Sequence, residues 1–193
     1  MEIRITTDLS SEPVSLELIK QYIKFAYDTD TSEVVLIDNL NRAVRSHLER
    51  LTGLVFAKKS FEIRFTKEDA HFDSVTQSPG ADKYVIPVSP VISITKVTVV
   101  DLNDSSTELE KNSDYYVKGK YNRELIYALG NSQELVVECN AGYGEGDTET
   151  LPADIQEAIK KQTGRWYWYR DDYVEGKFLP EVHSIISKYG NVL

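Results

Sequence analysis

Leu151-Pro-Ala-Asp-Ile-Gln-Glu-Ala-Ile-Lys-Lys-Gln-Thr-Gly-Arg-Trp-Tyr-Trp-Tyr-Arg170 is the stretch whose reading decides the fold. Pro152 stands where a helix begins, because its fixed φ suits the first turn and its missing N–H costs nothing there. Ile155, Ala158, Ile159, Gln162 and Trp166 recur at helical spacing and share one face. Gly164 costs a helix interior roughly 1 kcal/mol relative to Ala, so it marks either a close packing point or a bend. Immediately upstream, Leu135-Val-Val-Glu-Cys-Asn-Ala-Gly-Tyr-Gly144 reads as a strand entering a glycine-rich turn. A strand delivered into a helix that ends in aromatics and arginines describes a mounting element, and it carries no obvious chemistry.

Working outward, the two ends of the chain are helical. Ser15 is a plausible N-cap for a helix running to about Tyr27, with Ile19, Tyr22, Ile23 and Ala26 on its apolar face. Asp28-Thr-Asp-Thr-Ser32 is a polar turn. A second helix runs from about Ser32 to Leu51, lined by Leu36, Leu40, Val44, His47 and Leu51 and widened by Ile37, Ala43 and Leu48. Gly53 stands where a left-handed C′ residue is needed. These two helices form an antiparallel pair behind an extended lead-in, residues 1–14. At the other end, Asp171-Asp-Tyr-Val-Glu-Gly176 is a linker. A short last helix follows from about Pro180, with Val182, Ile185, Ile186 and Tyr189 at helical spacing.

The middle changes period. Phe61-Glu-Ile-Arg-Phe65 alternates strictly, and Lys83–Pro87, Ile92–Val100, Asp114–Lys118, Leu125–Tyr127 and Leu135–Cys139 continue in the β mode. Turn clusters separate them at Ser78-Pro-Gly80, Asn103-Asp-Ser-Ser106, Lys118-Gly-Lys120 and Gly130-Asn-Ser132. The expectation is an α+β fold: about four helices with an inserted small antiparallel β unit of about five or six strands. It is read as a single domain over 1–193, with a helical part at 1–56, the β insertion at 57–145 and the C-terminal helices at 150–193.

Composition excludes several function classes. With 22 Lys and Arg against 31 Asp and Glu, the formal charge is −9, which argues against gripping DNA through its phosphates. The single Cys139 excludes an internal disulfide, and its apolar neighbours make it a buried structural thiol rather than a nucleophile. No apolar run approaches the ~20 residues of a membrane span, and Met1–Asp8 contains no apolar core of a signal peptide. His47, His71 and His183 have no ligand spacing, and His47 reads as a core or interface histidine. Asp28-x-Asp30-x-Ser32 fails as a calcium loop, with Glu33 in place of Gly and Asn39 in place of the closing Glu. Gly142-Tyr-Gly-Glu-Gly146 lacks both phosphate-binding spacings and precedes Asp147 and Glu149, so it is a turn. No nucleophile elbow or zinc-protease motif occurs. No catalytic residue, metal or cofactor is expected, and the chain reads as other than an enzyme.

What remains is Arg165-Trp-Tyr-Trp-Tyr-Arg170. Neighbours on a helix point about 100° apart, so these aromatics cannot all enter one core. Trp, Tyr and Arg are enriched at interface hot spots. Either a partner covers the outward ones, or the β unit and the last helix do.

Across nearly its whole length and in order, the chain resembles the head-tail connector (adaptor) proteins of long-tailed bacteriophages. The matching landmarks are the helix pair from Val14 to Phe56, then Tyr84-Val-Ile-Pro-Val-Ser-Pro-Val-Ile-Ser-Ile-Thr-Lys-Val97 with Asp114-Tyr-Tyr-Val117. Cys139-Asn-Ala-Gly-Tyr-Gly-Glu-Gly146 comes next, followed by Leu151–Lys160, Trp166–Arg170 and Leu179–Tyr189. Tyr189-Gly190 departs from the family's closing Tyr-Arg, so no basic contact is carried over there. The resemblance implies a homo-oligomeric ring, commonly a dodecamer, in the virion at the head-tail junction and in the host cytoplasm during assembly. Such a ring docks on the portal, extends the DNA channel and meets a neck, stopper or tail-completion protein. Double-stranded DNA passes through it without specific binding, and no membrane is involved. By that analogy Val182, Ile185, Ile186 and Tyr189 contact the portal or a neighbour. Arg165, Trp166, Trp168, Tyr169 and Arg170 hold that helix or pack between subunits. The alternatives are another neck or tail-completion protein, or a small-ligand-binding α+β protein.

Overall fold

A computed structural model describes residues 1–7, 12–25, 31–70, 82–119, 124–127, 132–143, 150–170 and 177–189. Ala26–Asp30, His71, Ser78–Gly80, Lys120, Gly130–Asn131, the turn at Gly144–Glu149, the linker at Asp171–Gly176 and Gly190 lie outside the described residues. The chain is α+β and divides into two compact units. One comprises Met1–Leu9 with Lys58–Gly142, the other Ser10–Ala57 with Tyr143–Leu193.

The first unit is built of β-strands, with a single 3-10 turn at Lys67–Asp69 among its described residues. Its strands are β1 (Glu2–Thr7), β2 (Lys59–Thr66), β3 (Asp82–Val85), β4 (Val91–Val100), β5 (Ser106–Glu108), β6 (Tyr116–Lys118), β7 (Glu124–Tyr127) and β8 (Glu134–Ala141). They form a five-stranded sheet, β1-β2-β8-β4-β5, and a three-stranded sheet, β3-β7-β6, with antiparallel pairing throughout. β2 buries Phe61, Ile63 and Phe65 on alternate positions, as the sequence pattern predicts. β8 lies between β2 and β4 and buries Leu135, Val136, Val137, Cys139 and Ala141. Its other face carries Glu134, Glu138 and Asn140, all half-buried, so β8 keeps an in–out alternation that only Val136 interrupts. Burial pushes the Cys139 thiol up to about 12, so it is an inert filler of the sheet. Phe65 packs on Tyr84, ring centroids 5.4 Å apart, and burial pushes the Tyr84 hydroxyl up to about 12.

Two strands were not anticipated. The extended lead-in holds β1, which pairs Ile3 with Ile63 and Ile5 with Phe61 and belongs with the β unit rather than with the helices that follow. All its residues are exposed, so burial leaves no strong signature on it. β5 is Ser-Thr-Glu, with no apolar residue to announce it, and is fixed by pairing Val100 with Ser106.

The second unit is helical: α1 (Leu16–Ile23), α2 (Thr31–Thr52), α3 (Ala153–Trp168) and α4 (Pro180–Ile186). Ser15 caps α1 as expected, its hydroxyl accepting from Leu18 N. The helix stops at Ile23 rather than near Tyr27 because Lys24 turns left-handed at φ 55°, and Phe25 N donates back to Lys20 O. α2 ends as predicted, with Gly53 at φ 68°. Its buried face runs through Ile37, Leu40, Asn41, Val44, Leu48 and Thr52, so Leu51 points outward instead of lining the core. Two polar residues on that face are satisfied locally: Asn41 Nδ2 donates to Val14 O (2.9 Å) and Thr52 Oγ1 to Leu48 O (2.8 Å). Arg45 adds a tether, donating to Glu12 and Glu49 at 2.7 Å each, while Glu49 accepts from Phe56 N at 2.8 Å. Burial opposes the Arg45 charge, but Glu49 and Glu12 together hold its pKa above the ordinary value. The core joins Ile19, Ile23, Val44, Leu48, Phe56, Ile155, Ile159, Trp166, Val182 and Ile186.

Candidate subunit interface on the helical unit

α3 positions the whole candidate site. Its inward face is the predicted one: Ile155, Ala158, Ile159, Gln162 and Trp166 are all buried. Gln162 and Trp166 use that burial to grip the strand of chain that leads into α4. Gln162 Nε2 and Trp166 Nε1 both donate to Lys177 O at 2.9 Å, and Gln162 Oε1 accepts from Leu179 N at 2.9 Å. A buried amide must find partners for both ends, and here one backbone segment supplies them.

An aromatic cluster closes over the grip. The Trp166 ring lies 5.7 Å from His47 and 5.4 Å from Phe178, and Phe178 also meets His47 (5.9 Å) and His183 (5.8 Å). Burial, then the Arg50 charge, lowers the His47 pKa. The neutral ring suits the contact, since His47 Nδ1 lies 2.9 Å from an Arg50 Nη2 donor. Beyond the grip, Val182 and Ile186 are buried while Ile185 and Tyr189 are half-buried. Tyr189 Oη donates to Asp154 Oδ1 (2.7 Å), pinning the end of this segment to the first turn of α3.

The structure therefore separates the nine residues singled out from sequence. Trp166, Val182 and Ile186 are covered within the chain, so their surfaces are spent on seating α4 rather than offered to a neighbour. Trp168 and Tyr169 stay outside, 65% and 55% exposed. The Arg165 guanidinium lies 3.8 Å over the Tyr169 ring, and Arg170 pairs with Glu33 of α2 at 3.0 Å. Tyr167 turns toward Phe25, centroids 6.3 Å apart.

Outward of α3 runs an open groove of about 590 Å³, lined by Tyr22, Ile23, Lys24, Lys161, Gly164, Arg165, Trp168 and Leu179. Gly164 is a close packing point: a Cβ there would stand 3.1 Å from Tyr22 Cε1 and 3.3 Å from Ile23 Cγ2. Tyr22, expected in the core, is instead exposed beside the groove. Three cations and two large aromatics line it, with no histidine or carboxylate among the lining residues. Lys24 and Lys161 were not anticipated, because they lie far apart in the sequence and form no shared spacing.

No family model and no curated protein sequence matches the chain. Solved structures do match its fold, each likeness covering 100% of this chain and 97% of the other. A chain of the neck of an empty gene transfer agent (GTA) particle, computed with C6 symmetry, gives TM-score 0.73 at 18% identity. A chain of the virion of the native GTA particle gives 0.74 at 19%, and one of the native neck computed with C12 symmetry gives 0.70 at 18%.

Proposed function

We propose that this chain is a structural protein of a phage-type neck. It forms a ring between portal and tail, extends the DNA channel and joins head to tail. The observation that carries this is the end-to-end likeness to chains of GTA neck and virion structures, over 97% of those chains. The C12 symmetry applied to one of those necks favours twelve copies. The outward Trp168, Tyr169 and Arg165 fit a protein that buries surface only on assembly. A groove lined by cations and aromatics, rather than by converging histidines or carboxylates, favours this over the ligand-binding reading.

The acidic balance has a role in such a ring. A channel wall of the same sign as DNA lets the duplex slide, whereas Lys and Arg would hold it. Reversing channel-facing acids should slow DNA movement; unchanged packaging and ejection would remove this role. The ring itself is tested by negative-stain microscopy and native mass measurement, with the chain alone and with its own phage's portal. Rings in either sample support the proposal. A monomer that ignores the portal would shift the assignment to another neck or tail-completion component.

A further inference from the structure

The chain carries both halves of a joint. The groove on the helical unit presents Lys24, Lys161 and Arg165 around Tyr22 and Trp168. Neither lysine has an ion-pair partner among the described residues, although the chain has an excess of acids. The β unit presents the opposite chemistry at the β4–β5 turn, Asp101-Leu-Asn-Asp-Ser105. Leu102 is 74% exposed, more than any other large apolar residue described, and stands between Asp101 and Asp104.

That turn is rigid. Asp101 Oδ1 accepts from Asn103 N (2.8 Å) and Ser105 N (2.9 Å), Asp101 N donates to Ser105 O (3.0 Å), and Asp104 sits at φ 59°. A tip held by its own hydrogen bonds loses little entropy on docking. An isolated exposed leucine is ordinary. One fixed between two carboxylates, in a chain that also bears a groove with Lys24, Lys161 and aromatic walls, is a matched pair.

We infer that the acidic Leu102 tip of one copy docks in the Lys24–Lys161–Trp168 groove of the next. The contact joins two different patches, so it is heterologous, and repetition of such a contact generates a closed ring when the rotation closes. This inference rests on the ring reading above and names one of its contacts. Nucleic acid is the other chemistry that a basic groove invites. Three cations in a chain of charge −9 favour the acidic protein tip over phosphate.

The test uses the full chain with a photo-crosslinking benzoylphenylalanine in place of Leu102, irradiated alone and with the portal, the adducts then mapped by mass spectrometry. The expected adducts fall on a second copy, at Tyr22, Lys161 or Trp168. Lys24→Glu with Lys161→Glu should lower their yield about tenfold, as should Asp104→Lys, through like-charge juxtaposition. Mixing the two variants should restore the yield, because each then meets its opposite. Circular dichroism of the variants should be unchanged, since all these side chains are exposed or partly so. Rings that form while adducts map elsewhere, or not at all, overturn this contact and leave the ring reading standing. Neither rings nor adducts, with portal present, overturns both. A duplex oligonucleotide retained by the wild-type chain and lost with Lys161→Glu assigns the groove to nucleic acid and overturns the inference.

Discussion

The inward and outward faces of α3 are made from the same kinds of residue and do opposite things. Trp166 is fully buried, donates to Lys177 O and closes on His47 and Phe178. Trp168, two positions on, is 65% exposed and lines a groove. The difference is helical phase, about 200° between the two side chains. An aromatic-rich helix end thus says nothing of partners until the phase of each ring is known. The inward face holds this chain together, and the outward face is available to another.

Several changes would break or sharpen that contrast. Trp166→Ala should cost about 3–5 kcal/mol of unfolding free energy in urea titration, the range for truncating a buried aromatic. A cost under about 1 kcal/mol would mean the grip on Lys177 is unimportant. Gln162→Leu keeps the volume but leaves Leu179 N without its acceptor, so a loss of about 1–3 kcal/mol is expected. Amide exchange at Leu179 should quicken in the same variant, and full protection there would argue against the grip.

The His47 prediction is one of pH. Its pKa is lower in the fold than in the unfolded chain, so the unfolded state takes up the proton first. Stability from this group is complete above the unfolded value near 6.5 and declines as pH falls toward the folded one. The melting temperature should drop between about pH 7.5 and 5.5, and His47→Gln should flatten that slope; an unchanged slope would absolve His47. Smallest of all, Trp168→Ala should shift stability by less than about 0.5 kcal/mol, as an exposed surface site does. It should nonetheless weaken association, read by sedimentation at rising concentration. Equal association in both chains would take Trp168 out of the interface.

Much of this fold is legible in residues alone. The α3 face, the Gly53 cap, the alternation of β2 and the start of α4 at Pro180 follow from spacing and stereochemistry. What escapes has physical reasons. β1 and β5 are edge strands that bury nothing, so pairing rather than hydrophobicity defines them. Lys24 ends α1 in a left-handed conformation that glycine usually takes, hiding the stop. In the candidate site, the spacing places Gln162 on the apolar face of α3, where its burial creates a need for partners. Its partners, Lys177 O and Leu179 N, are backbone groups, which no residue pattern identifies. Val182 and Ile186 look alike whether they cover a neighbour or their own chain.

The strand order carries a consequence for synthesis. β8 is the last of the described strands to be made, yet it sits between β2 and β4, and the helical unit likewise lacks α3 and α4 until residues beyond Leu151 have emerged. Neither unit is a contiguous segment, so the usual route of finishing the N-terminal part first on the ribosome is closed to it. A nascent fragment ending before Glu134 would hold β2 and β4 without the strand that joins them and α1 and α2 without their inner wall. Termination before Glu134 should therefore leave neither unit complete, only chain for the quality-control machinery to clear.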